Sequence, residues 1–191
     1  MRFKYSIVMT GFIGLEGTAK LAKTYAEKIN GRYPIYFARE ASLLCSEEDK
    51  VLHERAKKLL DEHLKEFGVS NGEGAYCAEV REGGILTALY ELAKESSLGF
   101  EIDLRKIPIL QETVEICELL EVNPYHLYSG ECMVCIIPEG GSFVTRLCDE
   151  GINAVIVGHT TDKKAHILYN DGTESHLNRP EPDELIRLSL M

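Results

Sequence analysis

Tryptophan is missing from this sequence, proline is sparse at six residues, and no apolar run approaches the length of a membrane span. The apolar stretch near the start, Ser6 to Met9, falls far short of the ~20 residues that a spanning helix requires and is too brief for a signal h-region. Cys132-Met-Val-Cys135 has no second CxxC and no closely spaced HxxxH to complete it, which argues against a zinc site with its usual complement of about four ligands. The sequence also lacks positive charge. Its 21 Lys and Arg stand against 31 Asp and Glu, a formal net charge of −10. Such a field repels phosphate backbones and anionic head groups, so neither nucleic acid nor a membrane surface is expected as a partner. An anionic small molecule is compatible with it, because backbone N–H groups can hold an anion at short range. With no export signal and six cysteines (Cys45, Cys77, Cys117, Cys132, Cys135, Cys148) scattered among apolar neighbours, the thiols read as reduced core groups and the location as cytoplasmic.

What is present suits one domain over residues 1–191. The chain is 45% hydrophobic and 27% charged, enough to bury a core without disulfides or metals. Tyr5 to Thr10 reads as a strand, followed by a glycine-punctuated turn and a helix to about Ile29. A helix over Tyr36 to Leu44 follows. Ser46-Glu-Glu-Asp49 has the form of an N-cap opening a long helix to Phe67. Its expected buried face is Val51, Leu52, the stem of Arg55, Ala56, Leu59, Leu60, Leu64 and Phe67. Gly68 to Gly74 reads as a loop, Ala75 to Val80 as a strand, Gly83 to Ser97 as a helix and Gly99 to Leu104 as a strand. A helix over Gln111 to Glu121 ends before Asn123-Pro124. The continuous apolar run Glu131 to Ile137 marks a central strand buried on both faces. A helix over Ser142 to Glu150, then strands at Ile152 to Gly158, Ala165 to Tyr169 and Thr173 to Leu177, complete the pattern, the last two joined at Asn170-Asp-Gly172. A short helix starts in Pro180-Glu-Pro-Asp-Glu184. The fold class is therefore α/β (α+β): a mixed β-sheet with packed helices.

Two segments could carry chemistry. In Gly11-Phe-Ile-Gly14-Leu-Glu16-Gly17-Thr18 the glycines allow a tight turn, and the following helix points its positive end toward it. Either an anion or nothing but a capped turn occupies such a place. In Glu79-Val-Arg81-Glu82-Gly83-Gly84 a strand ends and a helix begins with two glycines, again exposing N–H groups. Arg81 there is either a fork donor to a ligand anion or an ion-pair partner of Glu79 or Glu82. Cys132 and Cys135 lie three apart on a strand, face opposite sides and read as buried thiols. The six histidines form no readable dyad and read as surface or supporting residues, and no metal site is expected.

Three stretches taken in order resemble the C-terminal domain of aminoimidazole ribonucleotide (AIR) synthase-related proteins, and among them the hydrogenase-maturation-factor, carbamoyl-dehydratase-like branch. They are Ile13-Gly-Leu-Glu-Gly-Thr18, Glu82-Gly-Gly-Ile-Leu-Thr-Ala-Leu-Tyr-Glu-Leu-Ala93, and Glu101-Ile-Asp-Leu-Arg-Lys-Ile-Pro108 with Glu112 to Leu120. Asn123-Pro124, Ser129-Gly130 and Val157-Gly158 extend the likeness, which runs from about Ser6 to Glu184. The resemblance implies a fold in which a separate ATP-binding domain normally precedes this one. Here Met1 falls just before the opening strand, and a natural stand-alone module is expected rather than a trimmed protein. It also implies that the first glycine-rich segment lies where phosphates sit between domains.

The sequence departs from the family at the second segment. The family's His-Asp-Xaa-Thr-Xaa-Gly-Gly is matched by Ala78, Glu79, Arg81, Gly83 and Gly84, so the histidine and threonine are replaced and the carboxylate is one carbon longer. The branch also ends in a cysteine that accepts the carbamoyl group, whereas this sequence ends Leu188-Ser-Leu-Met191. The expectation is a module that binds a phosphorylated or nucleotide-like ligand at Gly11, Gly14, Glu16, Gly17, Thr18, Arg81, Glu82, Gly83 and Gly84. It is not active as an isolated chain, and Glu79 is the one weak candidate for catalysis. ATP or phosphate would be its cofactor with a partner domain. The alternatives are half of a split ATP-dependent enzyme completed by a separate ATP-binding subunit, and a homo-oligomeric scaffold.

Overall fold

The computed structural model describes residues 5–190, so the sequence's opening residues 1–4 and its terminal Met191 are left aside. Eight strands among the described residues form one mixed sheet: β1 (Ser6–Thr10), β2 (Ser70–Asn71), β3 (Gly74–Glu79), β4 (Gly99–Asp103), β5 (Met133–Ile137), β6 (Ala154–Thr161), β7 (His166–Asn170) and β8 (Thr173–His176). Their order is β2-β3-β5-β1-β6-β4-β7-β8. Only β2–β3 and β4–β7 pair in parallel; the other neighbours are antiparallel. β1 and β5 sit in the middle, paired from Ser6↔Ile137 to Thr10↔Met133. Every residue of β5 is buried, as its unbroken apolar sequence predicts.

Alternation along the strands separates two cores. Ile7, Met9, Val134, Ile136, Phe100 and Ile102 face α5 (Gly84–Ser96), which brings Ile85, Ala88, Leu89 and Leu92 onto them. Val8, Ala75, Met133, Cys135 and Ile137 face the opposite way, onto α4 (Glu47–Glu66) and α7 (Gly140–Asp149) through Ala56, Leu59, Leu60, Leu64, Phe143 and Leu147. A third cluster joins α1 (Leu15–Thr24), α2 (Ala26–Asn30), α3 (Ile35–Ala41), α6 (Gln111–Leu120) and α8 (Glu184–Arg187) around Leu21, Ile29, Ile116, Leu127 and Leu185. No helix among the described residues is long and apolar enough to cross a membrane.

Local signals are realised where side chains dictate them. Ser46 caps α4, and Asp49 reaches back to the Ser46 N–H at 2.7 Å to close a capping box. Asp171 and Gly172, with φ of 47° and 77°, turn β7 into β8. Other readings need correction. The helix expected to run to Ile29 breaks at Tyr25, whose φ of −108° separates α1 from α2. The Gly68–Gly74 loop contains the short strand β2. Val51 on α4 and Phe67 at its C-cap are exposed, while His53 and His63 are buried. Val51 precedes Ala56 by five positions and so points away from the 53-56-60-63 stripe. His63 Nε2 lies 2.9 Å from the Pro138 carbonyl oxygen, which lets it serve as a core residue. Among the thiols, Cys117, Cys132 and Cys135 are buried, Cys45 and Cys77 half-buried and Cys148 exposed. Cys132 and Cys135 do face opposite cores.

Candidate functional site

The two glycine corners lie on either side of one segment, Tyr125–Gly130, and that segment takes up much of their hydrogen-bonding capacity. At the first corner Gly11 and Gly14 have φ of 75° and 73°, the left-handed region that a side chain resists. Gly11 N–H donates to Asn153 O at 2.9 Å, Gly14 N–H to Ser129 Oγ at 2.9 Å, Glu16 N–H to Ser129 O at 3.1 Å and Gly17 N–H to Tyr128 O at 3.0 Å. Thr18 N–H donates to Gly14 O, and the Thr18 hydroxyl donates to Thr113 Oγ1 at 3.0 Å in a buried pair. A Cβ on Gly17 would stand 2.5 Å from Leu127 Cγ, so the glycine is there for close packing. Of the first corner's residues, only Glu16 is exposed outright.

The second corner is closed differently. Gly83, at φ 77°, precedes α5, and its N–H donates at 2.7 Å to Asp183 Oδ2, one hundred residues away. The other Asp183 oxygen accepts from Leu185 N–H at 2.9 Å and caps α8. Asp183 is buried, so a carboxylate of the protein itself fills the anion position before α5. Gly84 N–H donates to Arg81 O at 3.0 Å, and a Cβ there would lie 2.4 Å from Tyr125 O. Glu82 is exposed.

Between the corners, the end of β3 carries a charged constellation. Glu79 Oε2 accepts from Arg81 Nε at 2.7 Å and from Arg81 Nη2, and Glu79 Oε1 accepts from Lys57 Nζ at 3.1 Å. Lys57 also pairs with Glu54 at 2.5 Å. His53, one turn before Lys57 on α4, places Nε2 3.6 Å from Glu79 Oε1, too far for a hydrogen bond. Neither ring nitrogen of this buried histidine has a hydrogen-bond partner. Burial pushes the Glu79 carboxyl up, but the hydrogen bonds and charges of Arg81 and Lys57 outweigh it and hold the carboxyl below its ordinary range. Glu79 is thus an ionised acceptor at neutral pH and a poor general acid.

The structure therefore brings Glu79 and Arg81 together as an ion pair, one of the two roles open to Arg81. The N–H groups of Gly11, Gly14, Glu16, Gly17, Thr18, Gly83 and Gly84 are spent on protein acceptors. An anion approaching this region meets side-chain cations, or must displace Asp183. Sequence reasoning missed His53 and Lys57, although their spacing of four on a helix places them on one face. It also missed Asp183, whose distance along the chain leaves no local signal. Among the described residues no cluster of three His, Cys, Asp or Glu could hold a metal ion. A groove of about 420 Å³, lined in part by Lys57, Lys58, Cys77, Glu79 and Met133, adjoins the constellation.

Comparison with known proteins gives a consistent context. Carbamoyl dehydratase HypE of Rhizobium leguminosarum bv. viciae is 32% identical over 93 residues, which cover 45% of this chain and 27% of the relative. The structure of HypE from E. coli superposes with a TM-score of 0.70 at 17% identity over 98% of this chain and 53% of that one. HypE solved in complex with ATP superposes with a TM-score of 0.65 at 18% identity, over 95% of this chain and 52% of that one. The chain thus spans about half the length of these two solved structures and about a quarter of the Rhizobium relative. Residues 6–170 match the family described as AIR synthase related protein, C-terminal domain, and the chain belongs to that family.

Proposed function

We propose that this chain is the ligand-holding module of a two-part, ATP-dependent assembly, binding a phosphorylated or nucleotide-like molecule and lacking catalysis on its own. The observation that carries this reading is the cation pair Lys57–Arg81 on Glu79, at the position of the family's motif and beside an open groove. Side-chain cations, rather than backbone amides, would hold the ligand's anionic group, with Arg81 offering a planar fork. Glu54 and Glu79 balance the two cations, so no positive charge is left over. A module so neutralised holds an anion weakly, and a separate ATP-binding domain supplies the remaining contacts. ATP in complex with a HypE relative supports a nucleotide as the ligand of the whole assembly. The absence of a histidine at Ala78 and the ionised state of Glu79 support the lack of independent turnover.

The test is thermal shift and calorimetry with ATP, phosphate and phosphorylated metabolites, on this chain alone and mixed with an ATP-binding domain of the family. A ligand at one hundred times its Kd adds about 2.7 kcal/mol of stability. Arg81→Ala and Lys57→Ala should each weaken that response. A flat response in both settings, or one indifferent to both substitutions, overturns the reading. Exposed Ile35, Tyr36, Leu43 and Val51 support a second reading, a homo-oligomer built on apolar side chains. Light scattering across a concentration series tests it, and a strict monomer excludes it.

A further inference from the structure

Cys77 and Cys135 are directly opposite each other on the antiparallel pair β3–β5. The ladder shows which kind of pair they form. One residue beyond Glu79↔Met133, Val80 N–H donates to Cys132 O at 3.0 Å, which sets Val80–Cys132 at a hydrogen-bonded position of the ladder, although the Cys132 N–H turns to Gly130 O. Alternation then makes Ala78–Val134 a hydrogen-bonded pair and Cys77–Cys135 a non-hydrogen-bonded one. The Cys77 N–H agrees, since it turns away from β5 and donates to Asn71 Oδ1 at 2.9 Å. In a pair of this kind the Cα atoms stand about 4.5 Å apart with side chains on the same face, within the roughly 4.4–6.8 Å that a disulfide spans.

Access is as favourable as spacing. Cys135 is fully buried, but Cys77 is half-buried and lines the groove that also holds Lys57, Lys58 and Glu79. We propose that Cys77 and Cys135 close a reversible cross-strand disulfide, which makes the groove beside Glu79 an oxidation-sensitive site. The oxidant is a small disulfide of the glutathione class. Cys77, as thiolate, attacks one of its sulfurs, forming a mixed disulfide and expelling one small thiolate. Cys135, as thiolate, then attacks the Cys77 sulfur and expels the second. Two protein thiols are oxidised, the external disulfide is reduced to two thiols, and the two cysteine protons go to the departing sulfurs. Glu79 lies two residues from Cys77 on the same face, about 7 Å along the strand, so the bond forms next to the charged constellation. In the reduced protein Cys77 and complete burial push the Cys135 thiol well above its ordinary pKa, and the burial, which persists in the mixed disulfide, makes the second step the slow one.

The experiment uses the full chain, freed of reductant, incubated with glutathione disulfide at pH 8, acid-quenched, alkylated and mapped by mass spectrometry. The expected product joins the peptides of Cys77 and Cys135 with loss of two hydrogens and disappears on treatment with a reductant. It persists in the Cys45→Ser/Cys148→Ser variant and is lost in Cys77→Ser. The closure rate should rise about tenfold per pH unit below the Cys135 pKa. Arrest at a glutathione adduct on Cys77, or linkage of a different cysteine pair, overturns the proposal. The parent-chain mapping needs no variant to fold, and it does not depend on whether the groove binds a phosphorylated ligand.

Discussion

Replacing Asp183 by alanine tests how the Gly83 corner is closed. Its carboxylate is 1% exposed and takes two N–H groups, Gly83 at 2.7 Å and Leu185 at 2.9 Å. Hydrogen bonds to a charged group contribute roughly 1.5–3 kcal/mol, and loss of an N-cap costs about 0.5–2 kcal/mol. Because one side chain makes both contacts, the losses overlap, and Asp183→Ala should cost about 2–4 kcal/mol. At roughly 2–4 °C per kcal/mol for a domain of this size, the melting temperature should fall by about 4–16 °C. Asp183→Asn keeps one acceptor and should lose about half as much. The alanine variant also leaves an unpaired N–H at the start of α5, so added phosphate or sulfate should stabilise the variant and leave the parent unchanged. At ten times the Kd that gain is about 1.4 kcal/mol. Urea unfolding with and without the anion measures both quantities. A variant within about 0.5 kcal/mol of the parent, indifferent to phosphate, would refute the idea that Asp183 stands in for an anion at this corner.

Gly17→Ala should cost about 1–3 kcal/mol by overpacking, read from urea midpoints, because the new methyl would meet Leu127 Cγ at 2.5 Å and Tyr128 O at 2.8 Å. Glu79 has a depressed pKa in the fold, so its ion pairs add stability that is fully present above its unfolded pKa and is lost as pH falls through the folded value. Glu79→Gln should therefore flatten the pH dependence of stability below about pH 4.5, the ordinary glutamate range, and a parallel offset of the two curves would contradict this. His53 is buried with neither ring nitrogen hydrogen-bonded, so His53→Leu should leave stability within about 1 kcal/mol of the parent or raise it. A loss above about 3 kcal/mol would mean that the imidazole makes a contact the structure does not contain.

Much of the fold was legible along the chain because the deciding interactions are local. The Ser46–Asp49 capping box, the Asn170-Asp-Gly172 turn and the apolar run of β5 each carry their signal within a few residues. The face of α4 was less legible, since hydrophobicity alone favoured Val51 and Phe67 over His53 and His63. His63 enters the core because the Pro138 carbonyl and the Phe143 ring receive it, and those neighbours come from elsewhere in the chain.

The same divide governs the site. Sequence alone determined that two glycine-hinged helix starts exist and that Glu79 and Arg81 stand beside one of them, because backbone preference and proximity along the chain decide such features. Only the tertiary structure decided what those helix starts bind. Ser129 and Tyr128 arrive from more than a hundred residues beyond the first corner, and Asp183 from one hundred residues beyond the second. A buried N–H must find an acceptor, and which acceptor it finds depends on how distant segments pack, which no local pattern encodes.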